Sequence, residues 1–478
     1  MHEPVSLPEH IKGRTLFGHP IGLFVLFLTE MWERFSYYGM RGLLKLYMVN
    51  YLLVSGRQLL QGGSERVTGD PGAVFGWSWI QTLLPVDVQG QASVIYGWYT
   101  GLVYLTPLLG GFIADRYWGQ RKTVVFGGLL MAFGHFVMAF ENWFFLALLL
   151  LILGNGAFKP NISTQVGNLY DEDDPRRDGA FTIFYMGINL GAFICNLICG
   201  TLAAVYGWHY GFAAAGIGMV VGLLVYIWGQ RYLAPDLKMT TAKSDAEASS
   251  LHKVPSHQSP SKLSSEEWRR ITALFVLCAL NIVFWAVYEQ QGNTMQTWAD
   301  ENTVWPTVFN FVIPSTWFQS FNPMFIFMFA PLLDMFWMAQ ARRGKEPSSV
   351  AKMAIGCVIL GLSFIIMAVA ARIVGDGKGS LLWPVVCTLL MTVGELYLSP
   401  VGLSLVTKVA PARMVSMMMG MWFLSSFFGN ILSGYIGALY SLMQKDTFFV
   451  LLTVLGLVAG GAIMLMSRPI ARATGHTR

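Results

Sequence analysis

Seven polar side chains share one face of the first hydrophobic stretch, and their types suit ion binding and proton exchange. The stretch covers residues 17–54, which is longer than the roughly 20 apolar residues that cross a bilayer. At about 100° per residue, their spacing places these side chains on one side of a helix. Charges at membrane depth are costly, and rare unless they face a watery cavity or one another. The seven are Glu30, Glu33, Arg34, Tyr37, Tyr38, Arg41 and Lys45.

This polar stripe has two interpretations. Structural salt bridges that fix helix packing would explain the charges alone. The wall of a solute pathway would also explain the two phenols between them, and we favour it. Carboxylates in a poorly hydrated cavity can then load and release protons, so proton coupling needs no cofactor.

Later hydrophobic stretches add a few ionisable residues. Lys159 is the only charge in the fourth predicted helix, and its candidate acidic partners are the two stripe glutamates and Glu395. The buried cations lie in the first half of the chain, whereas Glu289 and Glu395 lie in the second half. A cavity between the halves would be bipolar and would suit a zwitterionic solute. Its carboxylate would meet Arg34 and Lys159, and its ammonium group would meet Glu395.

Uncharged residues in these stretches are weaker indicators. Asn189, which two nearby glycines flank, can join helices or present its amide to a ligand, and the sequence favours neither. Pro323 is expected to interrupt the eighth helix and to free Asn322 for the cavity. Trp422 and Phe423 are weak evidence by themselves, because aromatic residues in membrane helices usually face lipid or core.

The composition is that of an integral membrane protein. Hydrophobic residues make up 54% of the 478 positions and charged residues only 12%, against about 25% charged in soluble proteins. The net charge of +5 does not indicate a nucleic-acid partner, because Lys and Arg concentrate in alternate loops, as the positive-inside rule requires of cytoplasmic loops. The five cysteines lie in apolar segments without a zinc-ligand pattern, so we interpret them as packing residues and expect no metal site.

Apolar segments of spanning length recur along the chain and predict an all-α integral membrane fold with about twelve transmembrane helices in two six-helix halves. The distribution of Lys and Arg predicts that both termini are cytoplasmic. The predicted spans are 17–54, 90–113, 121–140, 143–169, 179–205, 208–232, 268–299, 315–340, 349–372, 382–408, 413–442 and 446–467.

The polar segments predict the domain organisation. A six-helix bundle at 17–233 and a second one at 268–467 are joined by a linker at 234–267, which is rich in Ser, Lys and Pro. The linker has no apolar run long enough for an additional helix. Cytoplasmic segments at 1–16 and 468–478 complete the chain.

Several motifs occur together along nearly the whole chain. They are E-x-x-E-R-F-x-Y-Y-G at 30–39, G-x-x-K-P-N at 156–161, F-Y-M-G-I-N-L-G-A-F at 184–193, Y-E-Q-x-G at 288–292 and G-E-L-x-L-S-P at 394–400. This combination resembles the proton-dependent oligopeptide transporters, a branch of the major facilitator superfamily. The charged turn at 110–122 resembles the loop signature of that superfamily.

The resemblance implies roles in proton coupling and gating. Arg41 and Glu289 would pair to close the outer gate, and Lys159 with Glu395 would help to close the inner gate. The residues implied in proton coupling are Glu30, Glu33, Arg34, Arg41 and Glu289.

The resemblance also implies a peptide-binding site. The peptide carboxylate would be bound by Arg34, Tyr38 and Lys159, and the peptide amino end by Asn189, Asn322 and Glu395. The remaining substrate-binding positions, most of them in side-chain pockets, would be Tyr37, Tyr104, Trp285, Ser399, Trp422, Phe423 and Ser426.

The expected function is therefore proton-coupled symport of di- and tripeptides into the cell by alternating access. The expected setting is a bacterial inner membrane, with the proton gradient in place of a cofactor and a monomer as the functional unit. One alternative is a carrier of another small solute such as nitrate, and another is a peptide sensor that does not transport. The sequence contains no metalloprotease motif, nucleophile elbow or phosphate-binding loop, so we do not expect an enzyme.

Overall fold

The computed structural model describes most of the chain. The predicted linker at 234–267 lies largely outside the described residues, as do residues 1–14 and 475–478 of the two predicted terminal segments. The described ranges are 15–54, 57–59, 65–67, 69–84, 86–171, 174–235, 264–411 and 414–474.

Twelve helices of 18 residues or more make up most of these ranges, which confirms the predicted number. Among the described residues, eight helical segments are long and apolar enough to cross a membrane by length and composition alone. The first helix is not among these eight and carries the five charged side chains of the polar stripe. The twelve are α1 Ile21–Tyr47, α2 Val88–Ile113, α3 Gln120–Val137, α4 Phe144–Gly167, α5 Arg177–Tyr206, α6 Trp208–Gly229, α7 Ser265–Tyr288, α8 Phe321–Arg342, α9 Ser349–Val374, α10 Leu382–Val409, α11 Val415–Ala438 and α12 Lys445–Thr474.

Shorter elements occupy the connections. Two short α-helices are Trp77–Leu83 and Thr294–Glu301, and two wide π-helical turns are Met48–Leu52 and Ala114–Trp118. The 3-10 turns are Pro71–Ala73, Glu141–Trp143, Gln230–Tyr232, Glu289–Gln291, Ser315–Ser320 and Leu439–Ser441. The antiparallel strand pairs are Thr15–Leu16 with His19–Pro20, Arg57–Leu59 with Glu65–Val67, and Thr307–Val308 with Phe311–Val312. Thr303–Val304 pairs in parallel with Gly379–Ser380.

The structure corrects two predictions about helix continuity. The predicted span 268–299 is not one helix, because α7 ends at Tyr288 and a 3-10 turn follows it. Pro323 does not interrupt the eighth helix. It lies in the first turn of α8, where the missing backbone N–H of proline has no helical partner to lose.

The described residues form two compact units, each assembled from separate stretches of the chain. The first unit contains the described residues within 1–38, 105–192 and 212–263, and the second contains those within 39–104, 193–211 and 264–478. The division into the two predicted six-helix bundles therefore stays a prediction. Helix α1 contributes its first part to the first unit and its last part to the second.

Close helix packing holds each unit together. In the first unit, a Cβ atom on Gly127 of α3 would lie 2.6 Å from the carbonyl oxygen of Gly154 on α4. In the second unit, a Cβ atom on Gly361 of α9 would lie 2.9 Å from the Thr453 carbonyl oxygen on α12. Only glycine permits these approaches, and helices in lipid associate largely through such packing.

Polar contacts in the first unit hold the residues that precede α1. His19 Nδ1 and the Tyr170 hydroxyl are 2.8 Å apart, and the Arg176 Nη1 donates to the Gly18 carbonyl oxygen over 2.8 Å. Arg176 also donates to the Asp174 carboxylate and lowers the pKa of Asp174 to about 2. Burial raises the pKa of Tyr170 to about 12. These contacts fix the start of the helix that bears the polar stripe.

Candidate functional site

Three charged side chains of α1 form an ion-paired cluster in the first unit. The Arg34 Nε lies 3.0 Å from the Glu30 Oε1 and also donates to the Glu33 Oε2. All three side chains are buried. Their spacing of three and four residues places them on one side of the helix, as predicted. Because two carboxylates share one guanidinium group, the cluster has a net negative charge when both are ionised.

Aromatic rings and a close helix contact position Arg34. Its guanidinium carbon lies 5.1 Å from the ring centre of Tyr37 and 5.9 Å from that of Tyr38, which is within cation–π range. A Cβ atom on Gly191 of α5 would collide with the Met31 carbonyl oxygen and would lie 3.1 Å from the Arg34 Cβ. Glycine at this position therefore lets α5 pack directly against the charged turn of α1.

Two side chains of α4 act on the same cluster. The Asn155 Nδ2 donates to the Glu33 Oε1 over 2.9 Å, and the charge of Lys159 acts on the Glu30 carboxylate. The sequence indicated Lys159 as a site residue but not Asn155. The sequence signal that could have identified Asn155 is its position in the G-N-G-A-F-K-P-N run at 154–161, one turn before Lys159.

Two polar atoms of the cluster remain without a hydrogen-bond partner within the described ranges. They are the Arg34 Nη2 and the Glu30 Oε2, both buried. A buried donor without an acceptor costs about 1–3 kcal/mol, and more when it is charged. The arrangement can therefore bind a carboxylate at Arg34 and exchange a proton at a glutamate.

Arg41 and Glu289 form an ion pair in the second unit. The Arg41 Nη2 contacts the Glu289 Oε2, and the Arg41 Nε donates to the Tyr96 hydroxyl over 2.8 Å. Glu289 is buried and lies on the 3-10 turn that follows α7. Tyr96 was not predicted, and the only sequence signal was a tyrosine within the hydrophobic second span.

Lys45 is a buried cation one turn after Arg41. Its Nζ donates to the Gln89 carbonyl oxygen over 2.9 Å and to the Ser93 Oγ over 2.7 Å. The Ser93 Oγ lies 2.9 Å from the Asn293 Oδ1. None of the ion pairs among the described residues includes Lys45. Two uncharged oxygens therefore hold this ammonium group in a buried position.

Substitutions of Lys45 and Ser93 are expected to change stability in opposite directions. Lys45→Met keeps the volume and removes a buried charge, so the free energy of unfolding should rise by about 1 kcal/mol. Ser93→Ala removes one of the two acceptors of the Lys45 ammonium group and should lower the free energy of unfolding by about 2 kcal/mol. Thermal unfolding of the detergent-solubilised protein measures both. Ser363→Ala, a buried hydroxyl that donates to the Leu360 carbonyl oxygen, is the control. A lower melting temperature for Lys45→Met would contradict the expectation that the buried charge of Lys45 costs stability.

Glu395 is held by uncharged side chains of the second unit. The Tyr288 hydroxyl donates to the Glu395 Oε2 over 2.5 Å, and the Asn322 Nδ2 lies 3.1 Å from the same oxygen. The Asn322 Nδ2 is also 3.0 Å from the Thr392 Oγ1. The predicted neighbours Asn322 and Glu395 thus come together. Tyr288 and Thr392 were missed, although Tyr288 opens the Y-E-Q-x-G motif and Thr392 lies one turn before Glu395.

The two predicted tryptophans lie in packed surroundings of the second unit. Trp285 is buried, and its ring centre lies 5.5 Å from that of Tyr288 at right angles. Trp422 is buried against α10, where a Cβ atom on Gly402 would collide with the indole ring. Glycine at position 402 is therefore required for this placement of Trp422.

The other predicted positions differ in burial. In the first unit, Asn189 is buried, and its Nδ2 donates to the Tyr185 carbonyl oxygen one turn earlier over 3.1 Å. In the second unit, Ser426 is buried, Tyr104 and Ser399 are half-buried, and Phe423 exposes 41% of its surface. Within the described ranges, no three His, Cys, Asp or Glu side chains come together in a way that could hold a metal ion.

Comparison with known proteins adds independent observations. The profile of the POT family matches residues 121–236 and 233–451, which together span more than half of the chain. The peptide transporter YePEPT of Yersinia enterocolitica is 34% identical, over 98% of this chain and 97% of its own. A di-/tripeptide transporter of Lactococcus lactis is 33% identical, over 97% of this chain and 98% of its own.

A solved structure agrees with the same assignment. A crystal structure of a mutant of the peptide transporter POT, in complex with alafosfalin, matches with a TM-score of 0.81 and 32% identity. The match covers 98% of this chain and 99% of that one. The chain is thus an all-α, multi-pass membrane protein with the major facilitator fold, as expected. It belongs to the POT family, the proton-dependent oligopeptide transporters whose motifs it contains.

Proposed function

We propose that this chain is a symporter that couples the entry of di- and tripeptides to proton entry by alternating access. Family membership and the names of the relatives support the transport class and the peptide substrate. The observation that supports it most directly is the buried cluster of Glu30, Glu33 and Arg34, in which one guanidinium nitrogen has no partner among the described residues. A peptide carboxylate would supply the missing acceptor.

The proposed recognition of the peptide termini depends on charge. Arg34 and Lys159 bind the peptide carboxylate, and the Tyr38 hydroxyl assists them. Glu395 binds the peptide ammonium group together with Asn322, which already contacts the same carboxylate oxygen. Broad specificity follows, because the termini are common to all di- and tripeptides. Side-chain preference is assigned to the positions Tyr37, Tyr104, Trp285, Ser399, Trp422, Phe423 and Ser426, and Asn189 contributes an amide near the amino end.

The proposed coupling depends on two acidic sites. Glu30 and Glu33 exchange protons beside Arg34, and Glu289 exchanges a proton when its ion pair with Arg41 opens. The Arg41–Glu289 pair is assigned to the outer gate. Separating a buried ion pair is costly, because it leaves an uncompensated buried charge. The pairing of Lys159 with Glu395 at the inner gate stays a prediction. The setting is a bacterial inner membrane with both termini cytoplasmic, a functional monomer and no cofactor.

Uptake into liposomes tests this function. Purified protein is reconstituted, and labelled dialanine is followed with and without an inward proton gradient. Accumulation above the external concentration that collapses with a protonophore is the expected result. Protein-free liposomes and the same liposomes without a gradient are the controls.

The same measurement separates the alternatives. Binding of the dipeptide without accumulation would favour a peptide sensor. Absence of both binding and uptake would contradict the peptide assignment, and uptake of labelled nitrate would then be measured in the same liposomes.

A further inference from the structure

Glu33 differs from Glu30 in how its two carboxylate oxygens are bound. The Glu33 Oε2 accepts from the Arg34 Nε, and the Glu33 Oε1 accepts from the Asn155 Nδ2 over 2.9 Å. Both Glu33 and Asn155 are completely buried. Each oxygen of Glu33 therefore has a donor, one charged and one uncharged.

Glu30 is bound less completely. Its Oε1 lies 3.0 Å from the same Arg34 Nε that serves Glu33, and its Oε2 has no partner among the residues that the structure describes. Two carboxylates in one buried site cannot easily both stay ionised, because like charges disfavour each other. The carboxylate with fewer donors is the one at which a proton costs least.

The orientation of the Asn155 amide follows from its surroundings. With Nδ2 toward Glu33, one N–H donates to the carboxylate. The reverse orientation would set the Asn155 Oδ1 against a carboxylate oxygen, so that two acceptors would face each other. An ionised Glu33 therefore requires the Asn155 amide to face it with an N–H.

The backbone at Asn155 is held on both sides. A Cβ atom on Gly154 would lie 2.7 Å from the Gly127 carbonyl oxygen on α3, and one on Gly156 would lie 2.6 Å from the Thr106 Oγ1 on α2. Helix α4 is therefore packed closely against two neighbours at this turn. The backbone that carries the Asn155 side chain is therefore held by helix packing, and the amide itself is held by its hydrogen bond to Glu33.

We propose that Asn155 is a positioning residue of proton coupling: its amide holds Glu33 as a bound carboxylate and so directs the exchanged proton of the pair to Glu30. This inference rests on the proposed proton-coupled function. Asn155 touches neither a proton nor a peptide in this assignment. It acts through Glu33 alone.

Other charged and titratable groups near the pair are few. Helix α1 contributes Arg34 and the phenols Tyr37 and Tyr38 beside it, and α4 contributes Lys159, whose charge acts on Glu30. Helix α3 contributes His135, whose Nε2 lies 2.6 Å from the Ser36 Oγ. Residues 179–192 of α5 and 212–229 of α6 contain no Asp, Glu, Lys, Arg or His. Of the two described side chains that donate to Glu33, Arg34 and Asn155, Asn155 is the uncharged one.

Two substitutions test the proposal through the pH dependence of uptake. Asn155→Leu removes the donor, and Asn155→Asp replaces it with an acid of the same shape. Each variant lets Glu33 compete for the proton, so the pair keeps a proton to higher pH. The pH at which uptake falls to half should rise by about one unit for Asn155→Leu and by more for Asn155→Asp. Peptide exchange without a gradient should change by less than about threefold, because the peptide contacts remain.

A matched substitution on the same helix is the control. Gln165 is a buried amide on α4 whose Oε1 accepts from the Tyr226 hydroxyl over 2.9 Å. Gln165→Glu also places an acid in α4, but away from Glu33, and should leave the pH of half-maximal uptake in place. Monodisperse elution and retained peptide exchange establish that each variant is folded.

The outcomes separate the inference from the proposed function. If the wild type shows no proton-driven accumulation, the proposed function fails. If the wild type accumulates peptide but Asn155→Asp, which keeps the shape of the side chain, has an unmoved pH profile, the positioning role is wrong. An equal shift in Gln165→Glu would also overturn it, because the effect would then belong to any acid buried in α4.

Discussion

Glu289→Gln is expected to abolish proton-driven accumulation of peptide while peptide exchange continues. The Arg41 Nη2 contacts the Glu289 carboxylate, and the Arg41 Nε also donates to Tyr96. An amide of the same size still accepts a hydrogen bond from Arg41 but cannot take up a proton. Exchange needs only the loaded carrier to cross in both directions, whereas accumulation needs a proton to be released inside. We expect accumulation to fall by at least about tenfold, to the level without a gradient.

The measurement compares two assays on the same liposomes. Uptake under an inward proton gradient reports coupling, and counterflow of labelled peptide against unlabelled peptide reports the carrier alone. Glu301→Gln is the matched control, because Glu301 is also an acid of the second unit and lies 3.5 Å from the Lys445 Nζ. A Glu289→Gln protein that still concentrates peptide against its gradient would contradict the proton role of Glu289.

Lys159→Ala is expected to weaken the binding of peptides with a free carboxylate far more than that of amidated peptides. A hydrogen bond to a charged group contributes about 1.5–3 kcal/mol, which corresponds to roughly 10- to 100-fold in affinity. An amidated C-terminus lacks the negative charge, so it gains little from Lys159 in the wild type and loses little in the variant.

Competition between labelled dialanine and each unlabelled peptide measures this difference. Lys352→Ala is the control cation, because the Lys352 Nζ already donates to the Glu346 Oε1 over 2.5 Å. That variant should affect free and amidated peptides alike and only slightly. An equal loss of affinity for free and amidated peptides in Lys159→Ala would contradict the assignment of Lys159 to the peptide carboxylate. The electrostatic effect of Lys159 on Glu30 would still stand.

The amino-acid sequence alone determined the membrane class, the number of long helices and the polar face of α1. Those properties depend on local quantities, namely the length of apolar runs and the angle of 100° between successive residues. The ends of α7 and α8 could not be predicted in the same way. A 3-10 turn at Glu289 and a proline in the first turn of α8 differ from a continuous helix by only one or two hydrogen bonds.

Only the tertiary structure decided which side chains bind one another. The sequence suggested Lys159 as a partner of the stripe glutamates, and its charge acts on Glu30 in the structure, but only the structure pairs Glu33 with Asn155. In the same way, Glu395 is bound by Tyr288 and by an asparagine far away in the chain. Such pairs depend on how helices rotate and pack against each other, which is set by glycine contacts and side-chain volumes spread over the whole chain. A motif therefore identifies the reactive residues, and helix packing determines their hydrogen-bond partners.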